Sequence, residues 1–202
     1  MAGIACEEVP GHPDFVGLGD IDGIAVDLRY ASSDNFFGKD LYAFLDCAWL
    51  HRDAASALQA AAAELKAVRP DLQLLVLDAM RPQRVQQMLW DVLHGTDLRQ
   101  YVGSPERGSV HSFGMALDIT LADADGLELD MGSHFDEMSE RSHPDLEAQL
   151  LAQGVLTREH VAQRELLRSV MFHAGFSGIS NEWWHFDCGN PQDIRLRYQR
   201  IL

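Results

Sequence analysis

The chain has 202 residues, 47% hydrophobic and 23% charged, which suits one folded domain with a full core and leaves little for a second. With 31 acidic against 16 basic side chains the formal charge is −15, and no basic run offsets it. That balance argues against nucleic-acid binding and disfavours docking on anionic membranes.

No stretch approaches the roughly 18 to 20 apolar residues that span a bilayer, so no membrane insertion is expected. The start, MAGIACEEVPGHPD, has neither a basic n-region nor an apolar h-region. The chain therefore reads as cytoplasmic, or periplasmic had a leader been removed. Cys6, Cys47 and Cys188 are too few and too scattered for a disulfide framework and read as free thiols. No repeat, linker or charge block divides the chain. Residues 1–202 are expected to form one domain, with 1–20 and 189–202 peripheral.

GIAVDLRY (23–30) reads as a strand running into the polar loop ASSDNFFGKD. Cys47 and His51 stand at i, i+4, a metal-capable spacing on a helix, although packing is the simpler account. An Ala-rich helix follows from Asp53 to Val68, with Asp53 as cap, Leu58, Leu65 and Val68 on its apolar face, and Pro70 beyond its end. LQLLVLD (72–78) is a strand. Pro82 then opens a second helix to about His94, with Val85, Met88, Leu89 and Val92 inward.

Residues 95–110 read as loop. MALDITL (115–121) alternates, placing Ala116, Asp118 and Thr120 on the face opposite Met115, Leu117, Ile119 and Leu121. DADG (123–126) is a turn, with LELDM a candidate hairpin partner. A third helix is expected from Thr157 to about His173, ended by Gly175, and EWWHFD is the last strand. The pattern predicts an α+β fold, a mainly antiparallel sheet flanked by helices.

Three stretches carry chemistry. In GSVHSFGMALDITL, Gly114 can turn the loop so that His111 lies over the face bearing Asp118. Alone, this pair is either a nitrogen-and-oxygen metal pair or a loop histidine beside a strand aspartate bound to a basic residue. EWWHFD adds His185, and a His/Asp/His set with an open fourth position is the pattern of catalytic zinc. Glu182 then has a task as the carboxylate that takes a proton from a polarised water. Residues i and i+3 of a regular strand face opposite ways, so Glu182 must lie at the strand's start or on a bulge. The tryptophans Trp183 and Trp184 would wall the site and desolvate Glu182. In LVLDAMRP, Arg81 leaves a strand end where its guanidinium can steady an oxyanion, with Asp78 to orient it; the plainer alternative is a surface ion pair. The other histidines (His12, His51, His94, His134, His143, His160, His173) read as ordinary polar or packing residues.

SVHSFGMALD resembles the signature SxHxxGxAxD, and EWWH its ExWWH-like partner, of the zinc D-alanyl-D-alanine dipeptidases of the VanX type. These belong to the D,D-carboxypeptidase-like metallopeptidases, family M15, whose fold is shared with hedgehog-type domains. DLRYASSDNFFGK, DAMRP, DMGSHFDEMSERSH and GISNEWWHF also look like that family's blocks, in its order, over roughly residues 22 to 188. The resemblance implies one zinc ion per chain on His111, Asp118 and His185, Glu182 as catalytic base and acid, and Arg81 stabilising the tetrahedral intermediate. It further implies that Tyr30 and Asp136 receive the substrate's ammonium and that Ser109 lies near the substrate. The implied substrate is the dipeptide D-Ala-D-Ala, in cell-wall recycling or glycopeptide resistance.

Three positions depart from the family pattern: Phe113 stands where an arginine is usual, Met80 where an aromatic is, and Val110 is apolar between Ser109 and His111. They bear on substrate preference more than on reaction type. A D,D-carboxypeptidase or endolysin-type peptidase on the same scaffold is the competing enzyme reading, and a non-catalytic metal-binding sensor domain is the competing reading of another class. Oligomeric state is not legible in the sequence.

Overall fold

The computed structural model describes residues 3–202. In chain order they form β1 (Phe15–Gly17), β2 (Ile24–Val26), β3 (Trp49–His51), α1 (Arg52–Val68), β4 (Leu72–Asp78), α2 (Gln83–Val92), β5 (Ala116–Asp123), α3 (Glu147–Ala152), α4 (Arg158–His173), β6 (Ser177–Gly178), β7 (His185–Asp187) and α5 (Pro191–Arg197), joined by loops and 3-10 turns. A five-stranded sheet runs in the order β2-β4-β5-β7-β6. Its pairs are antiparallel except β2 with β4, which are parallel. A separate antiparallel ribbon joins β1 to β3. The architecture is α+β with a mainly antiparallel sheet.

The apolar positions of β4 and β5 explain why the sheet sits at the centre. Leu74, Val76, Leu117, Ile119 and Leu121 pack with Leu58 and Leu65 of α1 and Leu167, Val170 and Met171 of α4. Each such side chain, removed from water, contributes about 1.5–3 kcal/mol of transfer free energy. The opposite face is also covered: Leu75, Leu77 and Ala122 meet Phe135 from the long loop after β5. Asp118 and Thr120 therefore lie under protein rather than in solvent, at 2% and 0% exposure.

Several expected details shift. His51, not Asp53, caps α1: the strand β3 runs straight into the helix, so His51 holds an extended backbone and its Nδ1 accepts from the Asp53 amide at 3.2 Å. Cys47 and His51 share no helix, and their i, i+4 spacing has no metal-binding meaning. Val68 is exposed at the end of α1, and on α2 only Val85 and Leu89 of the predicted apolar face are buried, while Met88 and Val92 face solvent. Gln86 takes the inward place because its side chain bonds Arg81 and the Gly103 carbonyl. Pro82 precedes α2 as its N-cap. The hairpin after β5 is reduced to a bridge between Ala122 and Glu128, with Asp123 Oδ1 accepting from the Asp125 and Leu127 amides. The third predicted helix stands as α4, capped by a reciprocal Thr157–His160 box.

Candidate active site

Strand register assembles the site. Asp118 on β5 lies directly opposite His185 on β7, and opposed residues of an antiparallel pair share a face. His111 arrives from a 3-10 turn, Val110–Phe113, closed by Gly114 at φ +64°. A Cβ at Gly114 would meet the His51 amide nitrogen at 2.8 Å, so both the turn and the close approach need glycine. One donor atom from each of His111, Asp118 and His185 falls within 4.8 Å of the others. His111 Nε2 lies 3.2 Å from His185 Nδ1, and Asp118 Oδ1 lies 3.4 and 3.0 Å from these two nitrogens.

The far ring nitrogens are already engaged. His111 Nδ1 lies 2.7 Å from the Ala79 carbonyl, and His185 Nε2 lies 2.9 Å from Asp187 Oδ1. With the proton of each ring held there, His111 Nε2 and His185 Nδ1 are left as lone-pair donors beside a carboxylate oxygen. Such a two-nitrogen, one-oxygen set fits a divalent metal with an open position. Burial alone would raise Asp118, but His111 and His185 hold it well below the usual carboxylate range. Burial likewise works against a charged His185, and Asp187 and Asp118 outweigh it, raising the imidazole well above its ordinary value. Both shifts reflect the mutual attraction of carboxylate and imidazole in a buried cluster.

Arg81 leaves β4 just after a register shift between Val76 and Asp78, which sets Asp78 opposite Asp118. Its Nε donates to Asp78 Oδ2 at 2.8 Å, its NH2 to Asp118 Oδ2 at 3.2 Å and its NH1 to Gln86 Oε1 at 3.2 Å. The Tyr42 hydroxyl donates to the other oxygen of Asp78, and the guanidinium lies over the Tyr30 ring at 4.9 Å. Asp78 does orient Arg81, and the pair is buried rather than at the surface. Burial opposes the charge on Arg81, but Asp78 and its neighbours raise its pKa well above the ordinary value.

Glu182 lies before β7, in the irregular run that leads into the strand, where strand alternation does not force it away from His185. Burial pushes its carboxyl up to about 8, with Asp118 and Asp136 adding to the rise against His185 and Arg81. Tyr30 donates its hydroxyl to Asp136 Oδ1 at 3.0 Å, while Asp136 Oδ2 is buried without a hydrogen-bond partner among the described residues. Asp136 also has a left-handed backbone at φ +59°, and burial pushes its carboxyl up to about 7. Of the tryptophans only Trp184 walls the site, edge-on to Phe135. Trp183 lies instead with its Nε1–H donating to Ser133 Oγ at 2.9 Å.

These groups frame two neighbouring spaces. An inner pocket of about 20 Å³ is lined by Tyr30, Asp118, Asp136 and Trp184, and an outer cavity of about 410 Å³ by Ser109, His111 and His185; Arg81, Tyr101 and Glu182 line both. Val110 also lines the outer cavity, whereas Met80 is core and Phe113 is buried beneath the Arg200 guanidinium. Sequence reasoning missed Asp187, Tyr42, Gln86 and Tyr101. Asp187 had a signal, since it stands two residues after His185 on a strand and so on the same face. The others reach the site through loops and α2 and had none.

A sheet that presents two histidines and an aspartate to one point, with a raised-pKa glutamate and a clamped arginine alongside, defines a hydrolase of the metallopeptidase kind. Residues 15–201 match the Peptidase M15 family model, described as D-ala-D-ala dipeptidase. The chain is 43% identical over 164 residues to the D-alanyl-D-alanine dipeptidase of Escherichia coli (strain K12), covering 81% of this chain and 78% of that one. It is 35% identical over 187 residues to the protein of that name from Enterococcus faecium, covering 82% and 86%. For the one from Synechocystis the identity is 33% over 153 residues, covering 61% and 62%. A solved LD-carboxypeptidase, LdcB, superposes with a TM-score of 0.47 at 17% identity, over 92% of this chain and 72% of that one. The chain belongs to the M15 peptidase family, and it is a dipeptidase. Among the described residues no helix is long and apolar enough to cross a membrane.

Proposed function

We propose that the chain hydrolyses D-Ala-D-Ala to two D-alanines, with one zinc ion held by His111, Asp118 and His185. The observation that carries the reading is the inner pocket beside Glu182: about 20 Å³, closed by Tyr30 and Asp136, with one carboxylate oxygen lacking a partner. That volume is near the scale of a single water, which is the size of an ammonium group. A buried oxygen without a donor is costly until a donor arrives, and the substrate's ammonium is such a donor.

Zinc in such a site makes a bound water easier to deprotonate and polarises the scissile carbonyl. Glu182, raised to about 8, is a strong enough base near neutrality to accept the proton from the attacking water and return it to the leaving amine. Arg81 cannot lose its charge, and its clamp on Asp78 fixes its donors in advance, which suits it to steady the developing oxyanion. Ser109 makes no capping bond with its side chain and is available to the substrate.

A D,D-carboxypeptidase or endolysin-type peptidase would need a path for the acylated stem past Asp136, and the small inner volume disfavours it. A sensor domain would have no use for a base such as Glu182. The test offers the zinc-loaded protein D-Ala-D-Ala, L-Ala-L-Ala and N-acetyl-D-Ala-D-Ala in parallel. Only the first should be cleaved efficiently; comparable rates on the acetylated substrate reject the closed-pocket dipeptidase.

A further inference from the structure

The outer cavity carries charge that the reaction described above does not use. In a chain this acidic, Arg107 and Arg195 both line it, and Arg200 lies alongside at the same loop. Arg195 spends its bonds on backbone, Nε to the Gly108 carbonyl at 2.9 Å and NH1 to the Pro191 carbonyl at 3.0 Å. Arg200 likewise reaches the Arg107 carbonyl at 3.1 Å. Among the described residues, none of the three arginines forms an ion pair with a carboxylate. Burial first, and then Arg107 and Arg200, pull Arg195 below its ordinary value, with Asp187 opposing. Asp187 is itself engaged with His185.

The two spaces therefore have opposite polarity. The inner pocket ends on Asp136; the outer cavity ends on arginines; the His/Asp/His trio and Glu182 lie where they meet. A dipeptide is a zwitterion whose ammonium and carboxylate lie on opposite sides of the scissile bond. With the ammonium on Asp136, the carboxylate is directed into the outer cavity. We propose that Arg195, with Arg107 at the rim, forms the subsite that binds the free carboxylate of the dipeptide's C-terminal residue. This rests on the orientation set by Asp136 in the function proposed above. Arg195 is a specificity-determining residue here, because a guanidinium already fixed by two backbone carbonyls offers its remaining N–H groups to a carboxylate at little ordering cost.

The test measures binding, so that it does not depend on turnover. In the zinc-loaded Glu182→Gln protein, calorimetry compares D-Ala-D-Ala with its C-terminal amide. The acid should bind about 10- to 100-fold more tightly than the amide, the range for a charged hydrogen bond. Adding Arg195→Gln should remove most of that preference, and Arg195→Lys should restore part of it. Arg195→Gln also removes two bonds to the loop, so Arg107→Gln is the second variant. Its side chain is exposed and makes no hydrogen bond among the described residues, and the variant should lower the preference severalfold without disturbing the fold. Equal binding of acid and amide in the parent, or an undiminished preference in both arginine variants, overturns the subsite. Wild-type protein that fails to hydrolyse D-Ala-D-Ala while the preference and its loss are both observed sinks the proposed reaction and supports the subsite.

Discussion

Replacing Asp136 with asparagine keeps the shape of the inner pocket and removes its charge, so catalysis and folding stability should move in opposite directions. The carboxylate is buried, its Oδ2 has no partner, and Tyr30 supplies its one side-chain hydrogen bond. Losing a buried charge pair with the ammonium costs about 2–5 kcal/mol, or about 30- to several-thousand-fold in kcat/KM for the free dipeptide. N-acetyl substrate, which has no ammonium, should change little. The folded protein holds Asp136 at about 7 against an ordinary 3.8, so the fold binds a proton there that the unfolded chain has released. Stability is therefore fullest below the unfolded value and falls as pH climbs through about 7, a loss of about 4 kcal/mol for a shift of about three units. Asparagine removes that penalty but buries an unpaired N–H at about 1–3 kcal/mol, leaving a net gain of about 1–3 kcal/mol above neutrality. The ammonium needs the ionised form, so the wild-type kcat/KM should rise with pH through about 7, a limb the variant lacks. Urea denaturation of metal-free protein at about pH 5 and about pH 8, beside kcat/KM on both substrates, checks both halves. A variant that cleaves the free dipeptide like wild type, or is destabilised at the higher pH, refutes the reasoning.

Glu182→Gln should retain the metal while kcat falls about a hundredfold or more, read by metal analysis beside steady-state kinetics; joint loss of metal and activity would make Glu182 a ligand. His185→Ala should take zinc content from one per chain to near none, and unchanged content would refute the ligand set. Asp187→Asn should weaken metal binding about 10- to 100-fold in competition with a chelating dye, because it releases the ring nitrogen that fixes His185. Unchanged affinity would show that the ring is held some other way.

How far the sequence could be read depends on how local each signal is. β4 occupies the same residues as the run LQLLVLD, because an apolar stretch flanked by polar punctuation has few other places to go. The third predicted helix stands because its cap and its terminating glycine both lie within the segment. The apolar face of α2 was misjudged for a non-local reason: Gln86 is fully buried by bonds to Arg81 and to a carbonyl from a distant loop. The same distinction separates Trp184 from Trp183. Adjacent in sequence, they part because one meets Phe135 at the pocket and the other finds Ser133.

Register was the least legible part, and it does most to explain the chemistry. Asp118 has Asp78 opposite it on β4 and His185 opposite it on β7. Two carboxylates on adjacent strands repel unless a cation compensates, and the shared Arg81 guanidinium supplies one. Arg81 donates to Asp118 Oδ2, whereas Oδ1 faces His111 and His185, so each oxygen of this carboxylate has a separate positive neighbourhood. A metal on the His/Asp/His side therefore need not displace the arginine. Because Asp118 touches both, the proposed oxyanion donor on the segment after β4 and the two candidate metal-ligating histidines, from the 3-10 turn and β7, are coupled through one carboxylate of β5. That coupling explains why Arg81 lies buried beside a site whose metal-ligand spacing alone gave no reason to expect it there.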